Sequence, residues 1–394
     1  MSVPIIVAVS MTLLVGAISV PNEPVIEHLL ERPDVLTARR ANNGRVIDAD
    51  SECIGLSIGI FRNDDEPVSN FRKTVEAESL LGCEPLLYWL EKGETNASLD
   101  YYRYWHGYLI VARPLLSVLS YNDVRGILFT LSVGLLGLLA WRVGHHHSAL
   151  AGLSVLLPFM FLNGLGYWIV VTKAVGWFVI VIASLYVVRQ KNDDPPLLAF
   201  FFAGAATVVL DFLNAPLLSL AMPAFLWFFF RSARSFSDNL KIFLAMSGFW
   251  FAGYIGLWIA KFMVASLVLD GPVWADVIGS VTNRLRGQSH YIDSFLPGMA
   301  LYKNLASLKT LWGPATIIMF VVAPLLSARG RQGFITVWRD QKILVVIAAV
   351  PLLWLELLSN HSQIHAAFTH LNFAPALMLS SLCLLGCMDR KQQT

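Results

Sequence analysis

Asp48-Ala49-Asp50-Ser51-Glu52-Cys53 sets three carboxylates directly before the apolar run Ile54–Phe61. Carboxylates at such a junction can lose enough water to act as a general base, or can bind a divalent cation. The same residues also suit a helix start, where Asp and Ser cap and Glu favours the first turn. Tyr104-Trp105-His106-Gly107-Tyr108 is a second constellation. Its rings can anchor a chain at a membrane boundary or stack on the C–H face of a sugar, and His106 can donate to a phosphate or a leaving oxygen.

Four charges border or interrupt long apolar runs. Asp211 and Glu356 end two of them, and Lys173 and Lys261 lie about two turns inside others. An ionisable group in hydrocarbon costs several kcal/mol unless paired or wetted, so such residues mark candidate sites. The lysines can pair with Asp211 or Glu356, or present charge to a phosphate. Asp211-Phe212-Leu213-Asn214-Ala215-Pro216-Leu217 reads as a tight turn on its Asn and Pro alone, and a carboxylate is not needed for that. Asn360-His361-Ser362-Gln363-Ile364-His365 follows Glu356, with His370 beyond. On a helix His361 and His365 share a face, suited to substrate phosphate or sugar, or to packing. The zinc pattern H-E-x-x-H is broken at Ser362, so no metal ligand set is read here. Asn360-His361-Ser362 and Asn96-Ala97-Ser98 fit the glycosylation sequon, a short pattern with many chance occurrences.

Positioning these residues falls to membrane helices. With 56% hydrophobic and 14% charged residues, the chain reads as an all-α polytopic membrane protein, a single integral-membrane domain over 1–394. About ten transmembrane helices are expected, near 3–20, 121–141, 149–165, 168–188, 196–212, 214–230, 242–268, 311–327, 343–358 and 371–387. Alternate connections carry Arg142; Arg189 and Lys191; Arg231, Arg234 and Lys241; Arg329, Arg331, Arg339 and Lys342; the tail adds Arg390 and Lys391. Near Gly164–Tyr167, at Leu213 and over Ser359–His370, the opposite turns hold no Lys or Arg. Positive short loops stay inside, so both termini are expected in the cytoplasm of a multi-pass plasma membrane. The first span lacks a positive flank and reads as uncleaved.

Two large excursions then lie outside, about 21–105 and about 269–310. The first holds 16 of the 27 acidic residues and nine basic ones. The second is basic, with Arg284, Arg286, Lys303 and Lys309. Trp105–Ser120 reads as an interfacial helix with Arg113 snorkelling. An oxidising exterior permits a Cys53–Cys83 bridge worth about 3 kcal/mol, the alternative being separate thiols. Cys383 and Cys387 read as packing residues. His145-His146-His147 falls in a cytoplasmic loop and reads as solvated. P-loop, dinucleotide and Cys-x-x-Cys patterns are absent from the sequence, and nucleic acid is not expected as a partner.

The layout resembles that of integral-membrane glycosyltransferases of the GT-C class. The residues that carry the likeness are Asp48–Cys53, Tyr104-Trp105-His106-Gly107-Tyr108, the Asp211–Pro216 turn and Asn360–His365, in the block pattern of uncharacterised bacterial members. The resemblance implies a GT-C-like fold with a large first outer loop carrying interfacial helices. It implies a polyprenyl-phosphate sugar donor and a glycan or lipid acceptor at the outer face, in contact with membrane lipids. An outer-loop acid would be the base: Asp50 first, then Glu52 and Asp48. Arg113, Lys173, Lys261, Arg284, Arg286 and His361 are the phosphate candidates. Many members carry their acidic pair soon after the first span, where this chain has Glu23 and Glu27. The rivals are a lipid-linked-sugar flippase or transporter, which should show inverted repeats, and a membrane O-acyltransferase using His106 or His361.

Overall fold

The computed structural model describes residues 3–31, 49–58, 60, 69–93, 98–162, 166, 168–211, 214–231, 234–286, 296–307 and 313–388. Ser-x-x-Asp opens the two longest helices. Ser120 accepts from the Asp123 N–H at 3.2 Å and donates to its carboxylate at 2.6 Å, starting Tyr121–His146. Ser235 does the same with Asp238 at 3.1 and 2.7 Å, starting Phe236–Val268. Each pair satisfies a first-turn N–H that the helix itself cannot.

Among the described residues the fold is all-α apart from a small antiparallel ribbon, Glu78–Leu80 with Ser98–Asp100. Among the described residues four helices are long and apolar enough to cross a membrane: Tyr121–His146, Val171–Arg189, Phe236–Val268 and the composite Ala366–Leu384. A fifth span results if Val3–Ile18 and Asn22–Leu30, bent by 68° at their junction, are taken together. Ala149–Phe161, Leu197–Leu210, Leu218–Phe230 and Ala315–Leu326 are apolar but shorter. Helices thus occupy the expected positions, while length alone qualifies four or five rather than ten. At 1.5 Å per residue a helix the length of Ala149–Phe161 reaches about 20 Å, against about 30 Å of hydrocarbon.

Contacts between turns sort the helix ends into two groups. At one end His147 stacks on Phe229 at 4.9 Å, Arg231 donates to the Gln190 and Asn192 carbonyls, and Ser148 lies 3.8 Å from Cys387. This is the basic end, since it gathers the loops rich in Arg and Lys. At the other, Gly107 N–H donates to Val209 O at 2.8 Å, Arg125 to Ile169 O at 2.9 Å, and Asn360 to Asn283 O at 2.8 Å. Between them Leu197–Leu210 and Phe236–Val268 pack backbone to backbone. Gly204 faces the Trp250 carbonyl and Gly253 the Phe201 carbonyl, where any Cβ would collide. Such close approach is how small residues join helices where burial from water gives no drive.

The 21–105 excursion folds onto the non-basic end. Cys53 and Cys83 form a disulfide, joining Ala49–Ser57 to Cys83–Lys92, and Ser57 Oγ accepts from Leu80 N–H at 2.9 Å. Leu109–Leu116 follows, packed against the first helix. Here Arg113 departs from the snorkelling expectation. It is 1% exposed, and its guanidinium donates to Ala17 O at 3.0 Å, Val20 O at 2.8 Å and Asn22 Oδ1 at 2.7 Å. The carbonyls left over where the first helix bends need donors, and Arg113 supplies them.

Candidate functional site

At the non-basic end a cavity of about 550 Å³ runs between Phe236–Val268 and Val273–Arg286. The first helix lines it with Tyr254, Ile255, Trp258, Ile259 and Phe262, and the second with Trp274, Val277, Ile278 and Val281. Val273–Arg286 can do this because its apolar residues recur at helical spacing, three and four apart. Ile278 and Val281 also stay exposed on its surface, as befits a helix lying at a membrane boundary.

The polar end of the cavity is built from both excursions. Arg103 and Arg284 line it beside Tyr104. Arg103 NH1 lies 3.0 Å from Asp276 Oδ2, and Tyr102 OH donates to the same oxygen at 2.6 Å. Arg284 NH2 donates to Tyr104 OH at 2.8 Å and NH1 to Ser280 O at 3.2 Å. The Asp276 carboxyl is pushed up by partial burial, but the Tyr102 and Arg103 hydrogen bonds and the charges of Arg103 and Arg284 together hold it below the usual range. Tyr254 of the groove wall lies within electrostatic reach of Asp211, Tyr104 and Arg284, while Asp211 itself lines a separate small pocket with Gly176, Trp177 and Ser219. Asp211 shapes its own turn, accepting from Asn214 N–H at 3.1 Å and Asn214 Nδ2 at 2.9 Å.

A second polar corner is adjacent. Lys173 Nζ sits 4.0 Å over the Phe368 ring, His365 stacks on that ring at 5.0 Å, and His361 and His365 are 4.6 Å apart. Glu52 faces Lys173 and Arg125 and accepts from Val171 N–H at 2.7 Å. Asn360 links the corner to the groove through Asn283, the residue before Arg284. The four sequence blocks therefore meet at one end of the molecule.

Several residues singled out from sequence have structural tasks instead. Lys261 is fully buried, with Nζ 3.5 and 3.4 Å from the Thr74 and Val75 carbonyls and 5.5 Å from the Trp105 ring centre. It serves the end of Asn70–Glu76, not an acid. Glu356 accepts from Gly298 N–H at 2.9 Å and Leu301 N–H at 2.8 Å, capping Met299–Ser307. Trp105 is buried and donates to Leu257 O at 3.1 Å, so its face is not offered as a sugar platform. His106 is buried in a left-handed conformation, φ 57°, between Tyr101 O at 2.9 Å and Tyr108 OH at 3.2 Å. Burial pushes its pKa down to about 3, which leaves it neutral. Burial likewise raises the Glu52 carboxyl. Asp48 and the side chains of Asp50 and Arg286 lie outside the described residues.

Sequence reading missed Tyr102, Arg103, Tyr254, Trp258 and Asp276. A signal existed for Arg103, an arginine inside the aromatic run Tyr101–Trp105, and for Asp276, a carboxylate in the first turn of an amphipathic helix. Among the described residues no group of three or more His, Cys, Asp or Glu is placed to hold a metal. Comparison of the chain with protein-family models, curated proteins and solved structures found no match.

Proposed function

We propose that the protein is a GT-C-type glycosyltransferase, moving a sugar from a polyprenyl-phosphate-linked donor to a cell-envelope glycan or lipid at the outer face of a bacterial inner membrane. In this reading about ten helices cross the bilayer and both termini are cytoplasmic. The basic end faces the cytoplasm, as Lys and Arg in short loops favour.

The observation that carries the proposal is the groove, with aromatic and aliphatic walls ending at two guanidiniums. A carrier lipid needs an apolar bed for its chain and positive charge for its phosphate. An aqueous acceptor needs a carboxylate at the same mouth. The base takes the proton of the acceptor hydroxyl, whose oxygen attacks the anomeric carbon. The bond from that carbon to the phosphate oxygen breaks, and the phosphate leaves with the electron pair towards Arg284. Asp50 is the first candidate base from its place in the sequence pattern. Asp211 is a second candidate, supported by its electrostatic reach to Tyr254 of the groove wall, while the buried and hydrogen-bonded Glu52 ranks below both.

The test is transfer from radiolabelled polyprenyl-phosphate sugars by purified protein in lipid vesicles. Loss of transfer in Asp50→Asn or Asp211→Asn, with melting unchanged, would support the reaction and identify its base. Absence of transfer from every donor by well-folded protein would move the protein to the flippase class, checked by lipid-flipping assays.

A further inference from the structure

The head of the groove holds an unequal set of charges. Arg103 and Arg284 bring two guanidiniums to it, and Asp276 brings one carboxylate. Asp276 is committed to Arg103 by the 3.0 Å contact and is oriented by Tyr102 OH at 2.6 Å. Arg284 makes its hydrogen bonds to neutral groups, the Tyr104 hydroxyl and the Ser280 carbonyl, and feels Asp276 through space without a direct ion pair. Arg103 Nε is buried without a hydrogen-bond partner. Arg103, Arg284 and Asp276 together therefore carry one net positive charge.

We infer that Asp276 sets the specificity of this groove, making it accept a carrier lipid with a single phosphate over one with a diphosphate. The inference rests on the groove being the carrier site. A sugar–phosphate–lipid diester bears one negative charge, which Arg284 neutralises. The diphosphate bears two, and Asp276 withholds the cation that the second would need. An unmatched charge beside apolar walls is expensive, and the carboxylate adds repulsion to it. Removing Asp276 would release Arg103 and turn the head into a two-cation site.

The experiment measures binding, not turnover. Glucosyl farnesyl monophosphate and glucosyl farnesyl diphosphate are titrated into the detergent-solubilised full chain, read by quenching of tryptophan fluorescence at the Trp258 and Trp274 walls. The unaltered protein should bind the monophosphate about tenfold more tightly, the scale of one charge-assisted hydrogen bond. Asp276→Asn should erase or reverse that ratio by tightening the diphosphate, and Asp276→Glu should keep it. Arg284→Gln should weaken both about tenfold or more. A diphosphate preference in the unaltered protein, or an unchanged ratio in a well-folded Asp276→Asn, overturns the inference and leaves the transferase reading standing. Binding of neither lipid overturns the carrier groove itself, and the inference with it.

Discussion

The Glu52 carboxylate accepts from the Val171 N–H at 2.7 Å, so an acid of the first excursion closes the start of a helix 119 positions later. Tyr121 bonds the same carboxylate, and Arg125 and Lys173 lie within reach. Burial dominates and raises its pKa, so folding favours the protonated form more than the unfolded chain does. Stability from this group is therefore complete below the ordinary Glu range and is lost as pH rises through the raised value. Glu52→Gln keeps an oxygen for Val171 and removes the charge. It should melt no lower than the unaltered protein at neutral pH, with transfer retained. Glu52→Ala leaves the N–H bare and should lose about 1–3 kcal/mol. Loss of transfer in folded Glu52→Gln would restore it as the base.

His106 titrates in the opposite sense. Its pKa is lowered to about 3 by burial, from the ordinary 6.5. The stability it contributes is present above pH 6.5 and is lost as pH falls towards about 3. Asn tolerates the left-handed backbone that His106 adopts. His106→Asn should therefore fold and show a flatter acid limb across that window in thermal melting. An acid limb identical to that of the unaltered protein would assign the loss elsewhere.

Arg113 belongs to the bend between Val3–Ile18 and Asn22–Leu30. Arg113→Met strips donors from the Ala17 and Val20 carbonyls and should lower stability by about 2 kcal/mol. Phosphate-lipid affinity of the folded fraction should stay unchanged. A selective fall in affinity without a fall in melting temperature would return Arg113 to the phosphate site.

Gly253 has a sharper prediction. Gly253→Leu drives a side chain into the Phe201 carbonyl, so the two helices must separate. Overpacking of a fixed contact costs about 1–3 kcal/mol or more. The measurement is the yield of monodisperse protein and its melting point. Gly256→Leu is the control on the same helix, because a Cβ there meets nothing closer than Val3 at 3.4 Å.

The placement of the site was readable because polar residues are scarce in this chain. Asp211, Lys173 and Asn360 stand out against apolar neighbours, and the Arg- and Lys-bearing loops divide the ends. Their tasks were harder to read. Glu356, Lys261 and Arg113 have the composition of ligand-binding groups, yet each serves backbone groups left open at a helix end. That need arises where distant segments meet, as at Thr74 beside Lys261, 187 positions away. The groove was hidden for the same reason. Arg103 and Asp276 meet across 173 residues, and neither interrupts a long apolar run, so neither drew notice. Span number was obscured by short helices, Ala149–Phe161 and Leu218–Phe230, both with an internal proline.

All four cysteine sulfurs are withdrawn from thiol chemistry. Cys53 and Cys83 are bonded to each other, and Cys383 and Cys387 are buried. A membrane-impermeant maleimide should therefore leave the natural protein unmarked, with no cysteine needing removal first. A thiol introduced at Lys92, and another at Arg331, would then be the sole labelled positions in their variants. Intact cells would report directly which of the two ends faces the medium.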